Sequence, residues 1–254
     1  MTAAGSATSL DHTQYGDAAG SLRSQARRAG LLYAIPGLTV PFVLLHLPRA
    51  VFVSGDPTAT AERMRAARWM IELGIAAELV NCSMMVLAML ALYRLFQRTS
   101  QPLAATMVAL FLVAVPLQLA NLINSAAALM MTSGSPTVGA FSQAQLDALA
   151  YTFMRLHSRG IVLAQVYWGL WLIPYGLVVR RSGFIPAWLG IPLLVAGVAY
   201  VAHSVTTLFF PQYSAVVSPV MLALGTGELP ILVWLIGWGA KREWMTGNGL
   251  PVRP

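Results

Sequence analysis

The stretch WMIELGIAAELVNCSMMVLAMLALY, residues 69–93, decides the fold. It is long enough to cross a bilayer as an α-helix, which needs about 20 predominantly apolar residues. Two acids, Glu72 and Glu78, interrupt this otherwise apolar run. A charged carboxylate at the centre of a spanning helix costs about 3 kcal/mol if it faces lipid. Each acid is therefore expected to face the bundle interior, to pair with another group or to be protonated.

The composition of the whole chain is typical of a membrane protein. Of its 254 residues, 57% are hydrophobic and 10% are charged, whereas soluble domains average about 45–50% and about 25%. The formal charge of +7 would suggest nucleic-acid binding in a soluble protein. Here most of the arginines lie at the ends of apolar blocks, where they set membrane topology. We therefore predict an integral membrane protein that binds no nucleic acid.

The order of the apolar blocks predicts an all-α, polytopic transmembrane bundle with six spans. The spans are expected at about 30–47, 68–95, 103–131, 160–179, 186–210 and 218–239. Two amphipathic outer helices are expected between spans. One follows span 1, with Asp56 as N-cap and Pro57 as its first residue. The other follows span 3, is opened by a capping box of Ser142 and Gln145, and can run directly into span 4.

The distribution of basic residues predicts the orientation. Of the 16 Lys and Arg residues, ten fall on one side of the predicted bundle and six on the other. Cytoplasmic loops carry the excess of positive charge, so both termini are predicted to be cytoplasmic. We expect residues 1–28 to form a disordered cytoplasmic tail, residues 29–241 a six-helix transmembrane domain, and residues 242–254 a second cytoplasmic tail.

Several short motifs at ordered spacings resemble a known family. They are RAGLLY (28–33), ALYR (91–94), YWGLWL (167–172), RSGFIP (181–186) and AGVAY (196–200). Together they resemble an uncharacterised bacterial integral-membrane family, the domain of unknown function 4386, over roughly residues 25–240. The resemblance implies a multi-pass helical bundle in a bacterial plasma membrane. It implies no reaction and no catalytic residues.

Two acids are predicted to lie at mid-depth on different spans. Span 2 enters from outside near Arg68, and span 6 enters from the same side near Ser218. At 1.5 Å per residue, Glu78 and Glu228 each lie about 15 Å deep, so they could share one cavity. Glu72 is four residues after Arg68, and an ordinary ion pair explains it.

Other polar and aromatic residues fall at the same depth or in the outer halves of the spans. Pro230 leaves the Thr226 carbonyl without its helical partner and predicts a kink beside Glu228. We predict a polar pocket that is open to the outside or to the outer leaflet. The alternative is that the amides only join helices, at about 0.6 kcal/mol each. The predicted ligand-binding residues are Glu78, Asn81, Gln118, Asn121, Gln165, Trp168, Tyr200, His203 and Glu228.

The histidines give no metal signature. His46, His157 and His203 fall toward the outer side with Glu72, but the chain has no HExxH motif and no paired-histidine spacing. We predict neither a metal site nor a cofactor. The basic run from Arg155 to Arg159 is interpreted as a contact with lipid headgroups.

Three functions remain open from the sequence. The first is a membrane protein that binds a small lipophilic or amphipathic ligand, with Glu78 and Glu228 as polar anchors. The second is an intramembrane enzyme that uses one of these acids as a general acid on a lipid or isoprenoid. The third is a proton-coupled transporter, although no inverted repeat is visible. Membrane lipids are the expected partners, and the sequence carries no signal for the oligomeric state.

Overall fold

The computed structural model describes residues 4–134 and 138–240, with side chains from residue 20 onward. All regular structure in this part of the chain is helical. The helices are α1 (Ala4–Pro41), α2 (Leu47–Val51), α3 (Pro57–Ala66), α4 (Arg68–Phe96), α5 (Gln101–Met131), α6 (Gln143–Arg181), α7 (Gly190–Phe209), α8 (Ser214–Gly225) and α9 (Leu229–Gly237). A π-helical turn, Phe42–His46, joins α1 to α2.

Six helical segments are long and apolar enough to cross a membrane, which confirms the predicted polytopic bundle. They are Gly20–Val51, Arg68–Phe96, Gln101–Met131, Gln143–Arg181, Ala187–Phe209 and Pro211–Gly237. The chain is therefore a multi-pass membrane protein. The sixth segment contains both α8 and α9, which are separated by a short 3-10 turn, Thr226–Glu228.

The first span extends further toward the N-terminus than predicted. Residues 20–28, which we assigned to a disordered tail, belong to helix α1, and Ala26 is fully buried. Arg27 donates a hydrogen bond of 2.8 Å to the carbonyl oxygen of Gly237 at the end of α9, and Arg23 donates one of 3.2 Å to that of Trp238. These contacts hold the extension because cations are favourable at the C-terminal end of a helix. The predicted tail at 242–254 lies outside the described residues.

Both predicted helix starts are confirmed. Asp56 caps α3 by accepting a hydrogen bond of 2.9 Å from the amide of Ala59. Ser142 and Gln145 form the predicted capping box at the start of α6. Helix α6 then continues without a break to Arg181, so the second outer helix and span 4 are one element.

The six spans pack as a closed ring. Neighbours along the chain contact each other, and α1 contacts both α4 and α9, which closes the ring between the first and last spans. An apolar cluster fills the end near the turns at 97–100 and 182–186; it includes Phe96, Phe111, Trp171 and Tyr175. A second, smaller cluster at the opposite end packs α2 and α3 against α4, α5 and α6. Most of the buried polar side chains lie between these two clusters.

Candidate functional site

Glu78 belongs to a buried polar group on three spans, in which His157 contacts both Glu78 and Asn121. Oε1 of Glu78 lies 3.2 Å from Nε2 of His157 on α6, and the two side chains are only 13% and 9% exposed. Asn121 on α5 donates a hydrogen bond of 2.8 Å from Nδ2 to the carbonyl oxygen of His157. Asn124 donates one of 3.0 Å to Oδ1 of Asn121. We call Glu78, His157, Asn121 and Asn124 the polar group.

A glycine makes this arrangement sterically possible. A Cβ atom at Gly160 would overlap the side-chain amide of Asn121. Because Gly160 has no side chain, Asn121 can approach the backbone of α6 and reach the carbonyl of His157, one turn earlier. The α5–α6 contact and the polar group therefore depend on each other.

Both nitrogens of the His157 ring lie beside polar groups. Nδ1 is 3.2 Å from Nδ2 of Asn121 and 3.4 Å from the backbone carbonyl oxygen of Asn121, and Nε2 is 3.2 Å from Oε1 of Glu78. Nδ1 accepts from the Asn121 amide when it is unprotonated and can donate to the carbonyl when it is protonated.

Glu228 belongs to a different part of the bundle. It ends the 3-10 turn between α8 and α9, and its Oε2 accepts a hydrogen bond from the hydroxyl of Tyr33 on α1. In place of a simple kink next to Pro230, the structure has this short interruption of the α-helix. A Cβ atom at Gly227 would overlap the carbonyl oxygen of Pro192, so the turn packs closely on α7.

The other predicted residues meet in pairs. Nδ1 of His203 lies 2.9 Å from Oε1 of Gln165. The rings of Trp168 and Tyr200 pack edge to face with centroids 6.4 Å apart.

Two more of the predicted amides also have partners. Gln118 contacts Cys82, with 4.0 Å between Oε1 and Sγ. Asn81 accepts a hydrogen bond from the hydroxyl of Thr39. Every predicted residue thus has a polar or aromatic neighbour, but they form several small groups. Glu78 and Glu228 bond to different partners, and their shared cavity stays a prediction.

A lateral groove lies next to the polar group. It is formed by α4 and α5, has a volume of about 570 Å³ and opens to the outer surface of the bundle. Its lining is mostly apolar and consists of Leu79, Cys82, Ser83, Val86, Leu87, Val115 and Leu119. Cys82 is one helical turn after Glu78, and Gln118, which contacts Cys82, is one turn before Asn121. The groove therefore ends close to the polar group.

Two residues of the polar group, His157 and Asn124, are absent from the predicted ligand-binding set. We assigned the segment of His157 to the headgroup region, and Arg155 and Arg159 are indeed exposed, whereas His157 is buried. Helical spacing indicates that His157 lies on the buried face of α6, because it is three residues after Met154 and seven before Ala164, and both of these are buried. Glu72 is explained as predicted, since Oε1 lies 2.8 Å from Nε of Arg68.

No metal site is formed by the described residues, because no three His, Cys, Asp or Glu side chains lie together. The polar group contains a carboxylate, an imidazole and two amides.

Comparison with known protein families gives a match. A family model described as "Domain of unknown function (DUF4386)" matches residues 28–239. No curated protein and no solved structure matches the chain.

Proposed function

Since the chain belongs to the DUF4386 family of domains of unknown function, we propose from its geometry that it binds a single-chain amphipathic ligand within the membrane. The head of the ligand would contact the polar group, and its apolar chain would lie in the α4–α5 groove. We place the protein in a bacterial plasma membrane with both termini in the cytoplasm, so that the groove opens toward the outer leaflet.

The observation that carries this proposal is the position of the groove. Its volume of about 570 Å³ is within the range of about 300–1,000 Å³ typical of small-molecule sites. It offers apolar walls beside a small number of polar groups, which is the usual composition of such sites. A ligand could enter sideways from the bilayer, where acyl chains are already present.

The location of the carboxylate supports the same proposal. An ionisable group inside a membrane costs free energy, so such a group is a candidate functional residue by default. Glu78 and His157 are mostly buried, yet neither is completely closed off. A polar head one turn from the groove could therefore reach the carboxylate.

The test is lipid analysis by mass spectrometry of the purified protein. Val115→Trp would fill the groove, and Leu90→Trp would add the same side chain to an exposed position of α4 outside it. The wild-type protein and the Leu90→Trp variant should retain the same single-chain amphiphile, and the Val115→Trp variant should lose it. Equal lipid content in all three preparations would contradict the proposal.

A second candidate is an intramembrane enzyme. A carboxylate beside an imidazole, here 3.2 Å apart in Glu78 and His157, is an arrangement used in general acid–base catalysis. If the protein converts a bound lipid, Glu78→Gln should keep the fold and the bound amphiphile but abolish product formation. We rank a proton-coupled transporter third, because it needs a second polar vestibule and the opposite end of the bundle holds the aromatic cluster.

A further inference from the structure

We infer that one end of the bundle binds the headgroups of anionic phospholipids. This inference goes beyond the proposed amphiphile site, because it concerns the end near the turns at 97–100 and 182–186, away from the polar group. We call it the basic end. Seven arginines of the described residues lie there, at the start of span 1, at the end of α4 and in the turn that follows it, and at the end of α6: Arg23, Arg27, Arg28, Arg94, Arg98, Arg180 and Arg181. All of them except Arg23 are exposed.

The positive charge of the basic end is not balanced by acidic side chains. Among the side chains that the structure describes, no aspartate or glutamate lies at this end. The opposite end carries six arginines together with four acids, and its arginines form the ion pairs Arg65–Asp147 and Arg68–Glu72, at 2.9 and 2.8 Å. The two ends of the described chain therefore differ in net charge, and the basic end has a positive potential that attracts anions.

Packing brings the segments that carry these arginines together. The rings of Phe96 and Phe184 stack with their centroids 5.6 Å apart, so the end of α4 lies against the turn after α6. Arg98 is two residues after Phe96, and Arg181 is three residues before Phe184. The same apolar cluster includes Ala26 of α1. Arginines from three spans therefore lie around a single cluster and can act on the same lipid headgroup layer.

The depth of the basic end fits that layer. Trp238 is exposed, and its carbonyl oxygen accepts a hydrogen bond of 3.2 Å from Nε of Arg23. Trp188, at the start of span 5, is exposed at the same end. Exposed tryptophans of membrane proteins mark the level of the headgroups. Guanidinium groups at this level lie next to lipid phosphates, which they bind through charge-assisted hydrogen bonds. This position favours a phospholipid over a soluble anion.

The experiment compares two lipids with the same acyl chains, dioleoylphosphatidylglycerol and dioleoylphosphatidylcholine, added in equal amounts to the purified full chain in a neutral detergent. Native mass spectrometry measures how much of each lipid stays bound. Arg98→Gln/Arg181→Gln removes two exposed charges from the basic end. Arg49→Gln/Arg155→Gln, the matched control, removes two exposed charges from the opposite end. The wild-type and control proteins should prefer phosphatidylglycerol by at least about fivefold, and the basic-end variant should lose most of this preference.

Three outcomes would overturn the inference. The first is equal retention of the two lipids by the wild-type protein. The second is a preference that survives in the basic-end variant or falls equally in both variants. The third is displacement of phosphatidylglycerol by inorganic phosphate at the same concentration, because a site at the membrane surface should prefer the phosphate of a lipid.

Two further measurements keep the test decisive. If the basic-end variant does not fold, the wild-type preference must still weaken when NaCl is raised from about 50 to about 500 mM, since salt screens exposed charges. A preference that salt does not change would contradict an electrostatic site. Val115→Trp, which fills the α4–α5 groove, should keep the phosphatidylglycerol preference, so failure of the proposed function and failure of this inference are distinguishable.

Discussion

At the residue scale, the polar group depends on a position without a side chain. Gly160 lets Asn121 lie against the backbone of α6, and Asn121 in turn fixes the ring of His157. Asn121 donates to the carbonyl of His157 and lies 3.2 Å from Nδ1 of its ring, so its loss would affect the orientation of the imidazole. The site is therefore set up by two residues that need not touch the ligand.

Gly160→Ala should destabilise the protein. Alanine is the better helix former by about 1 kcal/mol, but the added methyl group would overlap Asn121, and such overpacking costs about 1–3 kcal/mol. We expect a lower midpoint of thermal unfolding in detergent. Gly237→Ala is the control, since a Cβ atom there meets no heavy atom within 4 Å. A midpoint for Gly160→Ala equal to or above that of the control would contradict the described contact.

The sequence identified the individual polar residues better than their partners. Glu78, Asn121 and Glu228 stand out because polar groups are rare in apolar blocks. Tyr33 and His157, which contact the two acids, do not stand out, because both types are also common at membrane interfaces. Whether such a residue faces lipid headgroups or the interior depends on the rotation and the depth of its helix, which neighbouring helices set.

At the element scale, α6 and α7 approach each other along glycines. Cβ atoms at Gly169 and Gly176 would overlap the carbonyl oxygens of Gly197 and Gly190. Small residues allow helix backbones in membranes to come close, where packing drives association instead of the hydrophobic effect. This contact also positions Gln165 on α6 beside His203 on α7.

Gly169→Ala should destabilise the protein by weakening the α6–α7 contact, and it should do so more than a glycine-to-alanine change at a position where a Cβ atom fits. The obstacle is backbone on the opposite helix, which cannot rotate away as a side chain can, so we expect a loss of about 1–3 kcal/mol. Gly37→Ala on α1 is the control, because its nearest neighbour, Leu232, is 3.7 Å away. The fraction of folded protein after heating can be measured by size-exclusion chromatography. Equal loss in both variants would show that close backbone packing is not the cause.

At the scale of the whole molecule, the bundle is asymmetric. One end is filled by large aromatic side chains, whereas the polar group lies nearer the end where α2 and α3 cover the bundle. The orientation predicted from the basic residues places the polar half toward the outside. A site on that side would be accessible to molecules in the outer leaflet.

Cysteine labelling tests this orientation. In a Cys82→Ser background, Ser54→Cys and Gln97→Cys place single thiols at exposed positions on opposite ends of the bundle. A membrane-impermeant maleimide should label Ser54→Cys in intact spheroplasts and label Gln97→Cys only after permeabilisation. The reverse pattern would invert the topology and place the polar group on the cytoplasmic side.

The sequence by itself determined that the protein lies in a membrane, and it determined the six spans, the helix starts at Asp56 and Ser142, and the Arg68–Glu72 pair. These features depend on length, hydropathy and contacts within one helix, which are local. The tertiary structure decided that Glu78 meets His157 while Glu228 meets Tyr33, and that a groove opens between α4 and α5. Those contacts depend on how each helix is rotated and how deeply it sits against its neighbours. The rotation and depth of each helix are set by packing among residues far apart in the chain, and no local sequence pattern encodes them.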